Sequence, residues 1–293
     1  HIVFAGMGGS GAIGDLFASI LSKTNIHVSV VKGYLLPNTV DKNTLVVTTS
    51  VSGNTIETLT VLDSAHKLDC NVIAFSSGGK MEEYCIKNQI NYKKIKSIHS
   101  PRTSFVIFLF SIINVLNLIL QIDKNYIVES IDELFKLQKH ICSKNLSDSN
   151  PALDLANFIS KIPLIYYPYG LQSSAIRFKS SIQENAKTHA IIEDVIEACH
   201  NGVVAWEKPS VIQPILLQGY DDYVKTQERF EIIKEFFAKN NIEYKEINSV
   251  SGNILTKLIT LNYLLDYTSV YRAILSEIDP TPVFSINFIK SKI

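Results

Sequence analysis

Two segments rich in glycine, serine and threonine follow apolar runs that are predicted to be strands. The first, Gly6–Gly11, follows Ile2–Ala5, and the second, Ser50–Thr55, follows Leu45–Thr49. Small residues let a backbone approach a ligand closely, and the N–H groups at the start of a helix favour anions. We therefore predict a pocket for a dianion such as a phosphate group. The residues predicted to bind it are Gly8, Gly9, Ser10, Ser50, Ser52 and Thr55.

A nucleotide site is the main rival interpretation of the first loop. Gly6, Gly8 and Gly11 also satisfy the dinucleotide pattern G-x-G-x-x-G, which on its own is a weak signal. That fold needs an acidic residue near the end of its second strand to bind a ribose, whereas Lys32 stands there and could at best meet a 2′-phosphate. An NADP-binding oxidoreductase is therefore the less favoured alternative, because it leaves the second loop without a function.

Helix capping is the structural alternative for the second loop. Asn54 and Glu57 have the spacing of a capping box, so we expect them to cap the helix that follows. Capping does not explain why three hydroxyl groups, on Ser50, Ser52 and Thr55, cluster at the end of this strand.

The composition narrows the class of protein. The 293 residues include 28 Lys and Arg against 28 Asp and Glu, so the basic excess of a nucleic-acid binder is absent and no nucleic-acid partner is expected. The longest apolar stretch, Phe105–Leu120, is too short for a membrane span, and we predict a helix buried on nearly all sides. The seven histidines show no metal-ligand spacing, so neither a metal nor another cofactor is expected. Four isolated cysteines fit a reduced cytoplasmic compartment.

Short β-branched runs alternate with helical patterns in the first half of the chain. The predicted strands are Ile2–Ala5, Val28–Lys32, Leu45–Thr49, Val72–Ser76 and Tyr92–Ile95, and the predicted helices are Ile13–Leu21, Thr55–Leu68, Glu82–Asn88 and Ser104–Leu120. This alternation predicts an α/β fold with a mostly parallel sheet flanked by helices. Ligands of such sheets bind beyond the carboxyl ends of the strands, where both small-residue loops lie.

The pattern restarts after a polar segment. A helical stretch, Tyr126–Lys144, leads to Asn145–Pro151, which is the strongest linker signal in the chain. Beyond it, the predicted strands are Pro163–Tyr167, Val211–Leu217 and Glu243–Ile247, and the predicted helices are Ala175–Asn185 and Leu255–Val270. A weak internal duplication follows, with Gly6–Ser10 and Gly170–Ser174 in equivalent loops. The second copy has lost most of its glycines, so only the first is expected to hold a phosphate.

Further motifs, in order along the chain, complete a known signature. They are Pro101-Arg102, Gln183-Glu184-Asn185-Ala186-Lys187, His200-Asn201, and Asp279-Pro280-Thr281-Pro282-Val283 with Lys290. The two loops alone resemble the signature of sugar isomerase (SIS) domains. With these motifs, the chain resembles over its whole length the bifunctional phosphoglucose/phosphomannose isomerase family. The resemblance implies two SIS-type subdomains of flavodoxin-like αβα architecture: residues 1–124 with the phosphate-binding loops, a helical connector and linker at 125–154, and residues 155–293 with the catalytic Glu and His and a C-terminal helix.

The resemblance implies the interconversion of glucose 6-phosphate or mannose 6-phosphate with fructose 6-phosphate. This reaction needs the sugar ring to open and a proton to move between C2 and C1 through a cis-enediol. His200 is the candidate for ring opening, because an imidazole exchanges protons near neutral pH. Glu184 is similar to the family's carboxylate base, and Arg102 is expected to stabilise the enediolate. The resemblance also implies a lysine near the ring oxygen, which is Lys290 or Lys292.

Specificity and assembly are further implications of the resemblance. Thr281 is the candidate for the threonine that the family links to activity on both C2 epimers. The site is expected to be completed in a homodimer, with His200 supplied by the neighbouring subunit. The expected setting is the cytoplasm, in glycolysis and gluconeogenesis, with a small-molecule sugar phosphate as the ligand.

Two other hypotheses share the phosphate loops. A non-catalytic SIS-type sugar-phosphate sensor would keep the loops but need not keep Glu184, His200 and Arg102 together. An aminosugar phosphate could also be the substrate, although this chain has no room for a glutaminase domain.

Overall fold

Five parallel strands form the sheet of the first unit, His1–Asp123, in a computed structural model that describes residues 1–292. Across the sheet the strands follow the order β2-β1-β3-β4-β5. The strands are β1 (Ile2–Ala5), β2 (Val28–Val31), β3 (Leu45–Ser50), β4 (Asn71–Ser76) and β5 (Asn91–Lys94). The helices are α1 (Gly8–Leu21), α2 (Ile56–Lys67), α3 (Gly79–Lys87), α4 (Phe105–Val115) and α5 (Asn117–Leu120).

The interior strand β1 is apolar at every position because helices cover both faces of the sheet. Val3 packs in a core with Val61 and Leu62 of α2. Phe4 points to the opposite face and stacks on Phe17 of α1, with the ring centroids 4.6 Å apart. The predicted parallel sheet flanked by helices is thus confirmed for this unit.

The apolar stretch Phe105–Leu120 differs from the prediction. It is not one helix but two, α4 and α5, with a break at Leu116. Phe108 and Ile112 are fully buried, whereas Leu118 is 91% exposed. The prediction of a helix buried on nearly all sides is wrong, because apolar residues of both α4 and α5 are exposed, among them Val106 and Ile119. Within the described residues, no helix is long and apolar enough to cross a membrane.

Four parallel strands form the sheet of the second unit, Lys124–Ile293, in the order β7-β6-β8-β9. The strands are β6 (Ile162–Tyr167), β7 (Ile191–Asp194), β8 (Ile212–Gln218) and β9 (Lys245–Asn248). The helices are α6 (Lys124–Ile141), α7 (Pro151–Phe158), α8 (Gln172–Asn185), α9 (Val195–Ala198), α10 (Val224–Lys239), α11 (Ile254–Leu275) and α12 (Phe284–Lys290), with 3-10 helices at Tyr169–Leu171 and Gly202–Glu207.

Aromatic side chains fill one face of the second sheet. Tyr166 of β6 packs with Trp206, Phe230 and Phe237, and its hydroxyl accepts a hydrogen bond from Trp206 Nε1 at 2.8 Å. That bond satisfies two polar groups that would otherwise be costly to bury. The long helix α11 lies against α6, α7 and α8. It thereby organises the remaining helices of this unit.

The segment predicted as a linker contains an ordered helix start. The side chain of Asn150 accepts hydrogen bonds from the N–H groups of Ala152 and Leu153, and Pro151 occupies the first helical position of α7. Both features are favoured at helix N-termini. Here the polar residues end one helix and cap the next. The subdomain boundaries at 124 and 154 stay a prediction.

Candidate active site

The two small-residue loops leave adjacent parallel strands of the first sheet. β1 pairs with β3 in register, with Ala5 opposite Thr48. The next two strands along the chain, β2 and β3, pair with β1 on opposite sides. In a doubly wound sheet, the crevice at this reversal of strand order is where ligands bind. Both small-residue loops thus lie beyond the carboxyl ends of their strands, as predicted, and the binding of a ligand there stays a prediction.

Hydroxyl groups tie the two loops to each other. Ser10 Oγ accepts a hydrogen bond from the Val51 N–H at 3.3 Å, and Ser10 is only 8% exposed. Ser50 Oγ lies 2.9 Å from Thr55 Oγ1 and accepts a hydrogen bond from the Gly53 N–H at 3.1 Å. The structure thus brings together three of the predicted phosphate ligands within one unit: Ser10, Ser50 and Thr55.

The remaining predicted ligands of the phosphate lie at the open side of these loops. Gly8 is the exposed first residue of α1 and has a left-handed φ of 54°, which suits glycine. Gly9 follows it in the first turn of the same helix, where N–H groups lack partners within the helix. Ser52 is exposed, and its Oγ accepts a hydrogen bond from the Asn54 N–H at 3.3 Å.

Helix capping by Asn54 and Glu57 is a wrong prediction. The residue at the cap position of α2 is Thr55, and within the described residues its side chain makes no capping hydrogen bond. Asn54 instead donates to the Ser52 carbonyl at 3.1 Å and accepts from the Lys80 N–H at 3.1 Å. Its amide therefore joins the second loop to the first turn of α3 and does not cap α2.

A third loop, not singled out from the sequence, supports the second. Both the N–H and the hydroxyl of Ser77 donate to the Val51 carbonyl, at 3.0 and 2.6 Å. A Cβ added at Gly53, whose φ is 69°, would lie 1.7 Å from the Gly78 carbonyl oxygen. The signal was present in the sequence, since Ser76-Ser77-Gly78-Gly79 directly follows a strand just as the other two loops do.

Arg102 lies in the turn that precedes α4, next to the first loop. A Cβ added at Gly9 would be 3.6 Å from the carbonyl oxygen of Pro101, so this turn passes close to that glycine. Ser104 Oγ accepts a hydrogen bond from the Ile98 N–H at 2.9 Å, and Thr103 Oγ1 donates to the Ile98 carbonyl at 2.6 Å. These bonds hold the turn that carries the half-buried Arg102 beside the phosphate loops.

Glu184 lies in the last turn of α8, half-buried, and polar bonds fix this helix to α11. Arg177 Nε donates to Asp266 Oδ2 at 3.2 Å, and Ser181 Oγ donates to Asp266 Oδ1 at 2.8 Å. One turn further along, Asn185 Nδ2 donates to Ser269 Oγ at 2.8 Å. Three contacts at successive turns set the rotation of α8, and with it the direction in which Glu184 points.

His200 is exposed on the loop that follows α9, and two glutamates shape that loop. The His200 N–H donates to the Glu197 carbonyl at 2.9 Å, and Glu197 Oε1 accepts from Asn201 Nδ2 at 2.7 Å. A Cβ added at Gly202 would lie 2.3 Å from Glu193 Oε1. Burial and the charge of Glu197 raise the pKa of Glu193. Glu197 is therefore bonded to the residue that follows His200, and Glu193 lies close to Gly202, one residue further on.

Thr281 and the two candidate lysines lie near the end of the second unit. Thr281 is exposed, and its N–H donates to Asp279 Oδ1 at 2.8 Å. Lys290 is the exposed last residue of α12, whereas Lys292 lies beyond the helix with Nζ 5.7 Å from the centre of the Phe288 ring. The choice between Lys290 and Lys292 as the site lysine stays a prediction.

Lys32, the cation that an NADP site would require, is engaged elsewhere. Its Nζ donates to Asp15 Oδ2 at 2.5 Å, and its side chain runs over Gly11, where an added Cβ would lie 3.2 Å from Lys32 Cε. Burial raises the pKa of Asp15 in spite of this pairing. Lys32 therefore forms an ion pair with Asp15, which disfavours its use as the 2′-phosphate ligand of an NADP site.

The equivalent crevice of the second sheet contains a carboxylate of the chain itself. The strand order reverses there between β6 and β8. In the loop after β8, the Gly219 N–H donates to Asp222 Oδ2 at 2.7 Å, and the Tyr220 N–H donates to Ser249 Oγ at 2.9 Å. Burial raises the pKa of Asp222. The prediction that only the first copy holds a phosphate stays a prediction.

Thiol and metal chemistry gain no support from the described residues. Burial raises the pKa of Cys199, beside His200, which disfavours the reactive thiolate. Among residues 1–292, no group of three or more His, Cys, Asp or Glu side chains is arranged to hold a metal ion.

Two doubly wound parallel sheets, the first with hydroxyl-lined loops at its switch point, define the class of SIS-domain proteins. A model of the SIS domain matches residues 1–111, and a model of the bacterial phospho-glucose isomerase C-terminal SIS domain matches residues 148–293. Tagatose-6-phosphate ketose/aldose isomerase from Escherichia coli has the same fold, with a TM-score of 0.72 at 13% identity over 96% of this chain and 83% of that one.

Sequence comparison narrows the class to one family. The chain is 33% identical to a bifunctional phosphoglucose/phosphomannose isomerase from Caldicellulosiruptor bescii, over 100% of this chain and 89% of that protein. It is also 30% identical to a D-glucosamine-6-phosphate 4-epimerase from Sulfolobus acidocaldarius, over 69% of this chain and 62% of that protein. The chain belongs to the bifunctional phosphoglucose/phosphomannose isomerase family, as the sequence motifs predicted.

Proposed function

We propose that this chain is an aldose–ketose isomerase that interconverts glucose 6-phosphate and mannose 6-phosphate with fructose 6-phosphate. The observation that carries the proposal is that a hydrogen bond of Ser10 connects the two loops at the switch point of the first sheet, while Ser50 and Thr55 pair within the second loop. The chain is also similar over its full length to such isomerases. A phosphate bound there leaves the rest of the sugar free to reach acid–base groups. The first turns of α1 and α2 supply N–H groups for the dianion.

The chemistry after binding is a pair of proton transfers. His200 opens the pyranose by exchanging protons with the ring oxygen and the C1 hydroxyl, and Lys290 stands near the ring oxygen. The Glu184 carboxylate then takes the proton from C2 and returns it to C1, while a proton moves from the C2 hydroxyl to the C1 oxygen. The enediolate that forms between these transfers is negative, and the guanidinium of Arg102 stabilises it.

Activity on both C2 epimers follows from the same intermediate. Glucose 6-phosphate and mannose 6-phosphate differ only at C2, and that centre becomes planar in the enediol. One base therefore serves both substrates if the C2 hydroxyl is held loosely, and we assign that contact to Thr281. The reaction moves protons only and would place the protein in glycolysis and gluconeogenesis, in the cytoplasm.

The proposed assembly is a homodimer in which His200 acts in the site of the neighbouring subunit. Its exposure on the loop after α9 supports this role. The test is complementation between Glu184→Gln and His200→Asn, each inactive alone. In a mixed dimer one site carries both changes and the other neither, so a re-annealed equal mixture should regain about a quarter of the wild-type activity. No recovery after verified subunit exchange would show that His200 acts within its own chain.

One coupled assay tests the function itself. Turnover is measured with glucose 6-phosphate, mannose 6-phosphate and glucosamine 6-phosphate, with and without a chelator. We expect activity on the first two, unaffected by the chelator, and a loss of at least about 10²-fold in Glu184→Gln with sugar-phosphate binding retained. Glu235→Gln, on the outer face of α10, is the control and should stay active.

The other hypotheses give different results in the same assay. Binding of both sugar phosphates without any turnover would favour the sensor. Turnover of glucosamine 6-phosphate alone would favour an aminosugar substrate, in line with the similarity to the epimerase. Full activity in Glu184→Gln would remove the assignment of the base.

A further inference from the structure

Lys187 has a left-handed backbone conformation, which just after the end of a helix is usually adopted by glycine. α8 ends at Asn185, Ala186 follows as its cap, and Lys187 is the next residue, with a left-handed φ of 55°. Glycine is the usual residue at this position because a Cβ makes the left-handed region unfavourable. A lysine kept in this conformation calls for a compensating contact of its side chain.

The side chain of Lys187 joins two segments. Its ammonium donates to the Glu184 carbonyl at 2.6 Å and to the Pro282 carbonyl at 2.7 Å. The Glu184 carbonyl is among the last four of α8, which have no partner within the helix. Pro282 belongs to the segment 279–283, which is 95 residues further along the chain than Lys187. We name this pair of hydrogen bonds the Lys187 bridge.

The segment that Lys187 reaches is itself held in a defined turn. Asp279 accepts a hydrogen bond from the Thr281 N–H at 2.8 Å. Hydrogen bonds from Thr281 lower the pKa of Asp279, and the positive charge of Lys187 lowers it a little further. The carboxylate, the ammonium and two carbonyl groups therefore form one charged cluster around Thr281, at the end of the helix that carries Glu184.

We infer that Lys187 is a positioning residue: its ammonium fixes the Thr281 segment to the end of α8 and so sets the distance between the base Glu184 and the residue that contacts the C2 hydroxyl. This inference rests on the proposed function. Glycine at position 187 would satisfy the backbone but supply no bridge. A compact ammonium can bind two carbonyl groups from different directions, whereas a planar guanidinium presents its donors in a fixed fork.

The experiment compares Lys187→Gly with Lys187→Met and with a matched control. Gln89→Gly is that control, because Gln89 has the same left-handed φ, 55°, at the end of α3 and is exposed. We expect Lys187→Gly to melt close to the wild-type temperature, since the relief of backbone strain offsets the loss of the bridge. Its kcat/KM should nevertheless fall about ten- to a hundredfold, and the ratio of mannose 6-phosphate to glucose 6-phosphate activity should change.

Three outcomes would overturn the inference. Wild-type kcat and an unchanged epimer ratio in Lys187→Gly would overturn it, and so would a loss that Gln89→Gly shares. Lys187→Met, which keeps the strain and removes the charge, should lose as much activity as Lys187→Gly. A Met variant as active as the wild type would also overturn the inference.

Amide hydrogen exchange separates this inference from the proposed function. Lys187→Gly should speed exchange at Thr281 and along α12 relative to the wild type and to Gln89→Gly, whether or not the protein turns over sugar phosphates. Unchanged protection of these amides would show that the Lys187 bridge does not hold the segment. If the wild type has no isomerase activity but exchange is faster in Lys187→Gly, the proposed function is contradicted while the role of the Lys187 bridge in holding the segment is not.

Discussion

Ser10 Oγ accepts a hydrogen bond from the backbone N–H of Val51, 41 residues further along the chain. This single hydroxyl joins the loop after β1 to the loop after β3. Both partners are buried, so the bond is shielded from competing water. The geometry of the proposed phosphate pocket therefore depends on this buried hydroxyl group.

Ser10→Ala should weaken substrate binding. The change leaves the buried Val51 N–H without its acceptor, at a cost of about 1–3 kcal/mol. Since the second loop then relaxes, we expect KM for glucose 6-phosphate and Kd for inorganic phosphate to rise together, with a smaller effect on kcat. Steady-state kinetics and phosphate titration measure these constants. Ser22→Ala, at the far end of α1, is the control and should change neither. An unchanged KM in Ser10→Ala would mean that the loops hold their positions without this bond.

Gly53→Ala should be strongly destabilising. A Cβ at this position would overlap the Gly78 carbonyl oxygen at 1.7 Å, and φ is 69°. Backbone on both sides prevents easy relaxation, so we expect the free energy of unfolding to fall by about 3 kcal/mol or more. Urea denaturation measures it. At Gly33, an added Cβ would have no described atom beyond its chain neighbours within 4 Å, so Gly33→Ala should be close to neutral. Equal stabilities of the two variants would contradict this packing.

Removing Asp266 should destabilise the second unit. The guanidinium of Arg177 is buried, with 6% of the residue exposed, and Asp266 is its anionic partner. Taking the carboxylate away leaves this charge poorly compensated, so Asp266→Ala should cost about 3 kcal/mol in unfolding free energy. The double variant Arg177→Met/Asp266→Leu should recover much of it, because apolar replacement of both partners avoids the buried charge.

The matched control for that experiment is an exposed ion pair. Lys225 and Glu228 are both well exposed on α10, so Glu228→Gln should give no measurable change. If Arg177→Met/Asp266→Leu is as unstable as Asp266→Ala, the packing and hydrogen bonds of Arg177 and Asp266 contribute more to stability than the compensation of their charges.

The pH dependence of stability should change when Asp222 is replaced by asparagine. Burial raises the native pKa of Asp222 above its unfolded value of 3.8. Between these two values the native state binds more protons than the unfolded chain, so the wild-type free energy of unfolding falls as the pH rises through this window. Asp222→Asn has no carboxyl group to titrate at this position. Its free energy of unfolding relative to the wild type should therefore rise from about pH 4 upward and then level off.

Urea denaturation at a series of pH values follows this difference, with exposed Asp148→Asn as the control. Parallel stability curves for Asp222→Asn and the wild type would show that the carboxylate is not desolvated in the folded protein.

Strand positions were predictable where the chain is apolar over several residues. β1 and β3 are buried throughout or nearly so, and both were placed within one residue. β7 was missed, because Ile191–Asp194 is only four residues long and its last two residues are acidic. The helix α10 was also missed, although Phe230, Ile233 and Phe237 are spaced as a buried helical face should be.

Long-range side-chain contacts were beyond the reach of the sequence. The motif that contains Glu184 and Lys187 could be recognised by its residue types, but the Lys187 bridge depends on a left-handed backbone and on a carbonyl 95 residues away. Arg102 lies in the turn before α4, and the bonds that Thr103 and Ser104 make to the backbone of Ile98 in this turn follow from no periodicity in the sequence. Periodicity predicts elements, not the turns between them.

The carboxylate of Asp222 after β8 has a consequence for redesign of the second sheet. It accepts a hydrogen bond from the Gly219 N–H within its own loop, so this N–H group is not available to an incoming anion. The order of the strands reverses at β6 and β8, as it does at β1 and β3 in the first sheet. An attempt to build a second anion site there would therefore begin with the replacement of Asp222.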